Sequence, residues 1–136
     1  MLEALKSVGV DLIVMAVESG SGRVLKEVMR KPLNLKIVSR VMADCRELGI
    51  DTDVNVIIGN VGETKQDIED SRKFLKTLYG TWYRVYVAVP LVGSELYEIS
   101  VENNYLSGDV TNGDFKKAVI ETEDFSAEYI QDKAYS

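Results

Sequence analysis

Histidine is missing from this sequence of 136 residues, and cysteine occurs once, as Cys45. A single thiol cannot form a disulfide within the chain, and without imidazole or further thiolates the chain cannot assemble a soft-ligand metal site. Acid–base catalysis by histidine is excluded for the same reason. We therefore predict that this chain contributes no catalytic residue and no metal ligand.

Long apolar runs and a surplus of positive charge are lacking as well. No apolar stretch approaches the roughly 20 residues of a membrane span, and residues 1–6 do not have the layout of a secretion signal. The chain has 16 basic and 22 acidic residues, a formal charge of −6, which repels nucleic acids and anionic membranes. We predict a cytoplasmic protein that has neither a membrane nor a nucleic acid as partner.

The apolar residues that are present follow a repeating pattern of strand, loop and helix. Hydrophobic residues make up 46% of the chain and charged residues 28%, as in ordinary globular domains. The predicted strands are 11–17, 53–58 and 82–89, and the predicted helices are 2–8, 24–29, 33–48, 64–79 and 94–102. Consecutive βα units predict parallel strands, either in an open doubly wound sheet or in part of a (β/α) barrel. The pattern does not separate these two architectures.

Each predicted strand is followed by a loop that contains glycine: 18–22, 59–63 and 90–93. The carboxyl ends of parallel strands meet at one edge of a sheet, where ligands bind in both architectures. We therefore predict that the three loops form one site. The alternative is that the glycines only make tight turns. Likewise Glu18 and Ser19 are suited either to hold ribose hydroxyls or to cap the following helix.

Other polar side chains near the loops have simpler interpretations. Arg30 and Lys31 are suited to pair with a substrate carboxylate, although a solvated basic helix face is the more usual arrangement. Glu63 is expected to be an acidic residue of a helix's first turn, stabilised by the helix dipole. Cys45 lies on the apolar stripe of its helix, which predicts a buried thiol.

Three segments carry a resemblance to a known family. They are Val17-Glu-Ser-Gly-Ser-Gly-Arg-Val-Leu-Lys26, Ile57-Ile-Gly-Asn-Val-Gly-Glu-Thr64 and Val89-Pro-Leu-Val-Gly-Ser-Glu-Leu-Tyr97. In this order and spacing they resemble the later strands of the radical S-adenosylmethionine superfamily, especially its branch with cobalamin-dependent members and methylthiotransferases. The resemblance covers about residues 2–105. It implies a full or partial (β/α) barrel from an enzyme that cleaves S-adenosylmethionine reductively at an iron–sulfur cluster, giving a 5′-deoxyadenosyl radical.

The resemblance also implies roles for individual residues. Glu18 and Ser19 would contact the ribose of S-adenosylmethionine, and Arg30 or Lys31 would bind its methionine carboxylate. The adenine contacts that it implies are Ile57, Ile58, Gly59, Val87, Ala88 and Val89.

The sequence departs from the family pattern in several places. Asn60 and Val61 stand where the family usually has Leu-Pro, and Val92-Gly-Ser94 stands where it usually has Pro-Gly-Thr. The three cluster-binding cysteines and the glycine-rich loop for the methionine amine do not occur. We therefore expect a partial (β/α) barrel of about three parallel strands with flanking helices in residues 1–105. An irregular carboxy-terminal extension follows in residues 106–136.

Three functional hypotheses follow from these patterns. The favoured one is a fragment of a radical S-adenosylmethionine enzyme, inactive alone and without a tightly bound cofactor. Its partners would be the remainder of the barrel and, through exposed strand edges, further copies of itself. The alternative is a non-catalytic half-barrel that serves as a binding or interaction module. An open-sheet nucleotide-binding domain is disfavoured because both Gly-x-Gly-x-x-Gly and the phosphate-loop motif are missing.

Overall fold

The computed structural model describes residues 1–111 and 114–136. The helices and strands follow the predicted order: α1 (Leu2–Ser7), β1 (Leu12–Glu18), a π-helical turn (Val24–Val28), α2 (Leu35–Glu47), β2 (Asp51–Ile58), α3 (Lys65–Thr77), β3 (Trp82–Val87), α4 (Glu95–Glu102) and α5 (Ala127–Tyr135). None of the described helices is both long enough and apolar enough to cross a membrane.

The three strands form one open sheet in the order β1-β2-β3. Both neighbouring pairs are parallel, with Val14 opposite Asp53 and Asp53 opposite Trp82. Helices α2 and α3 connect these strands, as expected for crossovers between parallel strands. The predicted α/β fold of three parallel strands with flanking helices is therefore confirmed.

The two faces of the sheet differ in polarity. Alternate residues of a strand point to opposite faces, and Val54 and Val56 of β2 pack with Val38 and Met42 of α2 in a buried cluster. The opposite face carries Asp53, Asn55 and Ile57 from β2, and on the same face Val14 of β1 is 58% exposed. The helices therefore cover one face of the sheet, while the other remains largely open.

The helix ends follow the capping chemistry of the sequence. The side chain of Thr64 accepts a hydrogen bond from the Asp67 backbone N–H, and the side chain of Asp67 accepts one from the Thr64 backbone N–H, which together form a capping box at the start of α3. Helix α2 begins at Leu35, two residues later than predicted, because the Asn34 side chain caps it by accepting from the Lys36 N–H. Such a cap leaves Asn34 itself in an extended conformation.

The carboxy-terminal extension is more ordered than its composition predicted. Leu106 and Ile120 form an isolated antiparallel bridge, and α5 ends the chain. Ile120, Phe125 and Ile130 are buried in one core with Ile58 and Val87 of the sheet. Part of the predicted irregular segment, residues 112 and 113, lies outside the described residues. The predicted domain boundary at residue 105 stays a prediction, although the extension shares a core with the sheet.

Candidate functional site

The three glycine-bearing loops lie together at the carboxyl edge of the sheet. The Arg23 guanidinium, from the segment after β1, donates to the Gly62 carbonyl in the loop after β2 at 2.8 Å. The Ala88 N–H after β3 donates to the Ile58 carbonyl at 2.8 Å. Arg30 and Glu95 form an ion pair of 2.7 Å that joins the segment after β1 to the start of α4. These contacts link the segments that follow β1, β2 and β3 along the carboxyl edge of the sheet.

The carboxylate of Glu18 stands at a break in the sheet. The register of β1 on β2 shifts between Ala16 and Glu18, and Glu18 has a φ of 69°, a region that non-glycine residues rarely adopt. Its Oε1 lies 3.3 Å from the Lys31 ammonium, which also donates to the Ala16 carbonyl. Strained conformations of this kind cluster at functional sites. The predicted ligand roles of Glu18 and Lys31 stay predictions, and the two side chains lie side by side.

Ser19 is completely buried. Its hydroxyl lies 3.0 Å from the Ser71 hydroxyl of α3 and accepts from the Ser21 backbone N–H at 3.1 Å. These contacts fasten the first loop onto α3. The ribose contact predicted for Ser19 stays a prediction, while the observed hydrogen bonds give the hydroxyl a structural task.

Asp67 ties the first two loops together. It accepts hydrogen bonds from the hydroxyl of Ser21 at 2.7 Å, from the guanidinium of Arg23 and from Thr64. Burial alone would raise the pKa of the Asp67 carboxyl, but the hydrogen bonds from Arg23, Ser21 and Thr64 outweigh it, so the pKa lies well below its ordinary value. Asp67 is therefore negatively charged at neutral pH, and its hydrogen bonds fix the loop geometry.

A cavity of about 420 Å³ opens between the ends of β2 and β3 and the start of α4. This volume is within the usual range for small-ligand pockets. Its lining is Ile57, Asn60, Tyr86, Val87, Ala88, Val89, Leu96 and Phe115. Apart from the amide of Asn60 and the hydroxyl of Tyr86, these side chains are apolar, so the cavity suits a flat, largely apolar group.

Four of the six predicted adenine contacts line this cavity: Ile57, Val87, Ala88 and Val89. The other two lie elsewhere. The side chain of Ile58 is 4% exposed and belongs to the core, as does that of Val87, its partner in β3, which nevertheless borders the cavity. Gly59 has a φ of 86°, and a side chain there would meet Ile130 at 2.9 Å. Its predicted role in binding stays a prediction.

Four lining residues were missed by sequence reasoning: Asn60, Tyr86, Leu96 and Phe115. Tyr86 was within reach, because it pairs with Ile57 across β2 and β3 and the alternation of β3 places it on the same face. Leu96 follows the third loop in the first turn of α4. No sequence signal marks Phe115, which comes from the extension. Arg30 and Glu18 border the loops rather than lining the cavity.

Glu63 is completely buried beneath the second loop. Burial raises the pKa of its carboxyl to about 7, although hydrogen bonds from Asn60 oppose the shift. Its Oε2 accepts from the Asn60 backbone N–H at 2.7 Å, and its Oε1 is buried and has no hydrogen-bond partner among residues 1–111 and 114–136. The prediction that Glu63 lies in the first turn of a helix is wrong, because the residue precedes Thr64, the N-cap of α3. Its carboxyl instead braces Asn60, which lines the cavity.

The residues of this chain do not fit an iron–sulfur cluster. Cys45 is the one cysteine of the sequence, and it is buried within α2, on the face that packs against the sheet. Within residues 1–111 and 114–136 there is no group of three side chains suited to hold a metal ion. The cavity beside β2 and β3, in contrast, offers apolar walls and an amide, which is a lining of the kind that nucleobases bind.

Comparison with known proteins relates the chain to parts of larger enzymes. No family model matches it. It is 30% identical over 112 residues to a cytidylyl-2-hydroxyethylphosphonate methyltransferase of Streptomyces wedmorensis, covering 78% of this chain and 21% of that protein. It is 38% identical over 65 residues to a tRNA-2-methylthio-N(6)-dimethylallyladenosine synthase of Desulfotalea psychrophila, covering 46% and 14% respectively.

A third relative is an uncharacterized methyltransferase of Pyrococcus horikoshii, 28% identical over 104 residues, with coverage of 76% of this chain and 22% of the relative. The matched segment is therefore at most about a fifth of each relative's length. The chain is similar to a segment of proteins named as methyltransferases and as a synthase of a methylthio-modified adenosine in tRNA.

Proposed function

We propose that this chain is the later part of the (β/α) barrel of a radical S-adenosylmethionine enzyme and supplies the adenosine side of the cofactor pocket. One observation carries the proposal: the cavity at the carboxyl ends of β2 and β3 is lined by Ile57 and by Val87, Ala88 and Val89. These are residues that the family resemblance assigns to adenine. The similarity to methyltransferases and to a methylthioadenosine synthase supports the same assignment.

The chain's own residues would bind and orient the nucleoside. Apolar walls would exclude water from the faces of the base, and the Glu18 carboxylate, held beside Lys31, would accept hydrogen bonds from ribose hydroxyls. In the parent enzyme an iron–sulfur cluster held by another segment would supply the electron for cleavage. This chain offers no ligand set for that cluster, so it would be inactive alone.

Binding of 5′-deoxyadenosine to the isotope-labelled full chain tests the proposal. We expect weak, saturable chemical-shift changes at the amides of Ile57 and of residues 87–89, because only one side of the pocket is present. Val89→Trp should abolish them by filling the cavity, whereas Val92→Trp, at a 70% exposed position outside the lining, should not. Shift changes confined to other regions would refute the proposal.

The alternative function is a stand-alone binding or interaction module, and the gene distinguishes it. If the chain is part of a radical S-adenosylmethionine enzyme, the coding sequence upstream of Met1 should contain Cys-x-x-x-Cys-x-x-Cys in the same reading frame. An in-frame stop codon there would favour the module.

A further inference from the structure

Among the described residues that line the cavity, Asn60 is the one with a carboxamide side chain. The family resemblance gives it no role, because the family usually has leucine at this position. An amide in an otherwise apolar wall is positioned to make the directional contact that an apolar wall cannot make, and such contacts set specificity in ligand pockets.

The orientation of this amide is set by Glu63. The Glu63 Oε2 accepts from the Asn60 backbone N–H at 2.7 Å and lies 3.4 Å from Asn60 Nδ2. Because Oε2 is an acceptor, the amide must present its nitrogen to Glu63, which assigns the Oδ1 to the other side. Glu63 is itself buried and cannot turn away freely. The side-chain Oδ1 of Asn60 is thus turned away from Glu63, where a ligand can donate to it.

Phe115 brings an aromatic ring to the same cavity from the carboxy-terminal extension. Its backbone carbonyl accepts from the Val87 N–H at 3.2 Å, so the residue is held against the end of β3. Its side chain is 52% exposed and lines the cavity together with that of Tyr86. A half-exposed ring that is held by its own backbone is suited to pack against the flat face of a base.

Building on the proposed function, we propose that Asn60 selects a 6-aminopurine nucleoside and that Phe115 forms the wall against which its base packs. The Asn60 Oδ1 accepts a hydrogen bond from the exocyclic amine. A 6-oxopurine presents an oxygen at that place, so two hydrogen-bond acceptors face each other. Both then lose the hydrogen bonds that they make with water when the ligand is unbound. Sites built on such contacts discriminate strongly, because the wrong ligand leaves buried polar groups unpaired.

The test compares 5′-deoxyadenosine with 5′-deoxyinosine by chemical-shift titration of the full chain. We expect the wild type to prefer the adenine nucleoside by about tenfold or more. Asn60→Leu should bring the ratio of the two dissociation constants close to one. The matched control Asn103→Leu, at the exposed end of α4, should keep the wild-type ratio. Phe115→Leu should weaken the binding of both nucleosides several-fold and leave the ratio of their dissociation constants unchanged. Because position 115 is 52% exposed, this variant should keep the fold, which a wild-type-like amide spectrum verifies.

The outcomes separate this inference from the proposed function. If the wild type binds neither nucleoside, the proposed function itself fails. If it binds 5′-deoxyadenosine at residues 87–89 but Asn60→Leu keeps the preference, the pocket assignment stands and the role of Asn60 is refuted. An equal wild-type affinity for the two nucleosides would also refute that role.

Discussion

At the residue scale, the most unusual side chain is that of Glu63. A carboxyl with one oxygen buried and unpaired favours its neutral form, since removal from water penalises the charge. Sequence reasoning wrongly placed Glu63 in a helix's first turn, where the helix dipole would favour the charged carboxylate. The residue lies one position before the N-cap of α3, and its burial, which raises the pKa, depends on how the second loop packs.

The raised pKa of Glu63 predicts a pH-dependent stability. The folded chain binds the proton more tightly than the unfolded chain, where the ordinary pKa is 4.5. The stabilisation that this tighter proton binding gives is fully present below pH 4.5 and is lost as the pH rises through about 7. The free energy of unfolding falls by roughly 3 kcal/mol over this range. Glu63→Gln should remove this slope in urea unfolding between pH 5 and pH 8. The control Glu98→Gln, at an exposed position of α4, should keep it; an unchanged slope in Glu63→Gln would contradict the prediction.

Asp67 predicts the opposite dependence. The lowered pKa of its carboxyl means that its contribution is present above the ordinary value of 3.8 and is lost as the pH falls through the folded-state pKa. Asp67→Asn should lower the free energy of unfolding at pH 7 by about 2 kcal/mol through the lost cap and ion pair, and the deficit should shrink in acid. Asp70→Asn, in the same helix but less buried, is the comparison; equal losses in both variants would argue against the network.

At the scale of elements, sequence periodicity predicted the strands and helices well and the fine structure of the turns less well. The spacing of Val24, Leu25 and Val28 is compatible with any helix, and the structure forms a π-helical turn there, with the Met29 N–H bonded to the Val24 carbonyl at 2.9 Å. Wider turns of this kind are often found at functional sites. Periodicity over five residues cannot distinguish a π-helical from an α-helical turn.

Gly20 shows how closely the first loop approaches α3. A Cβ at this position would lie 2.6 Å from the Ser71 Cα and 2.7 Å from the Phe74 Cβ, whereas one at Gly22 would meet nothing within 4 Å. Gly20→Ala should therefore destabilise the chain by about 2 kcal/mol in urea unfolding, and Gly22→Ala should stay within about 1 kcal/mol of the wild type. Equal effects would show that the loop does not touch α3 in solution.

At the scale of the whole molecule, the extension is part of the core. Ile130 of α5 is 1% exposed, and Ile37 of α2 is 56% exposed. Ile130→Ala should cost about 3 kcal/mol of unfolding free energy, and the matched control Ile37→Ala much less. Calorimetric unfolding of the two variants and of the wild type measures both losses of stability. If the two variants melt alike, α5 does not pack on the sheet. Sequence patterns missed this packing because the apolar residues of the extension, among them Ile120, Phe125 and Ile130, lie in short groups between polar residues and follow no regular period.

The outer edge of β1 is a second feature of the whole molecule. No described strand pairs with it, and Leu12 and Val14 on the open face are 46% and 58% exposed. Unprotected edges with apolar neighbours favour association between chains. We expect light scattering to show concentration-dependent association of the wild type and less of it for Val14→Lys. Lys36→Arg, at an exposed position of α2, is the control and should associate like the wild type. A monomeric wild type at all concentrations would contradict this expectation.

The contact between Gly59 and Ile130 has a consequence for variation in this protein. The loop after β2 and the last helix are far apart in sequence, yet a side chain at position 59 would meet Ile130 at 2.9 Å. A larger residue in the loop therefore requires a smaller one in α5, and even this exchange leaves the unfavourable φ of 86°. Grafting a different tail onto this sheet would consequently reshape the loop after β2, so a change in either segment constrains the other.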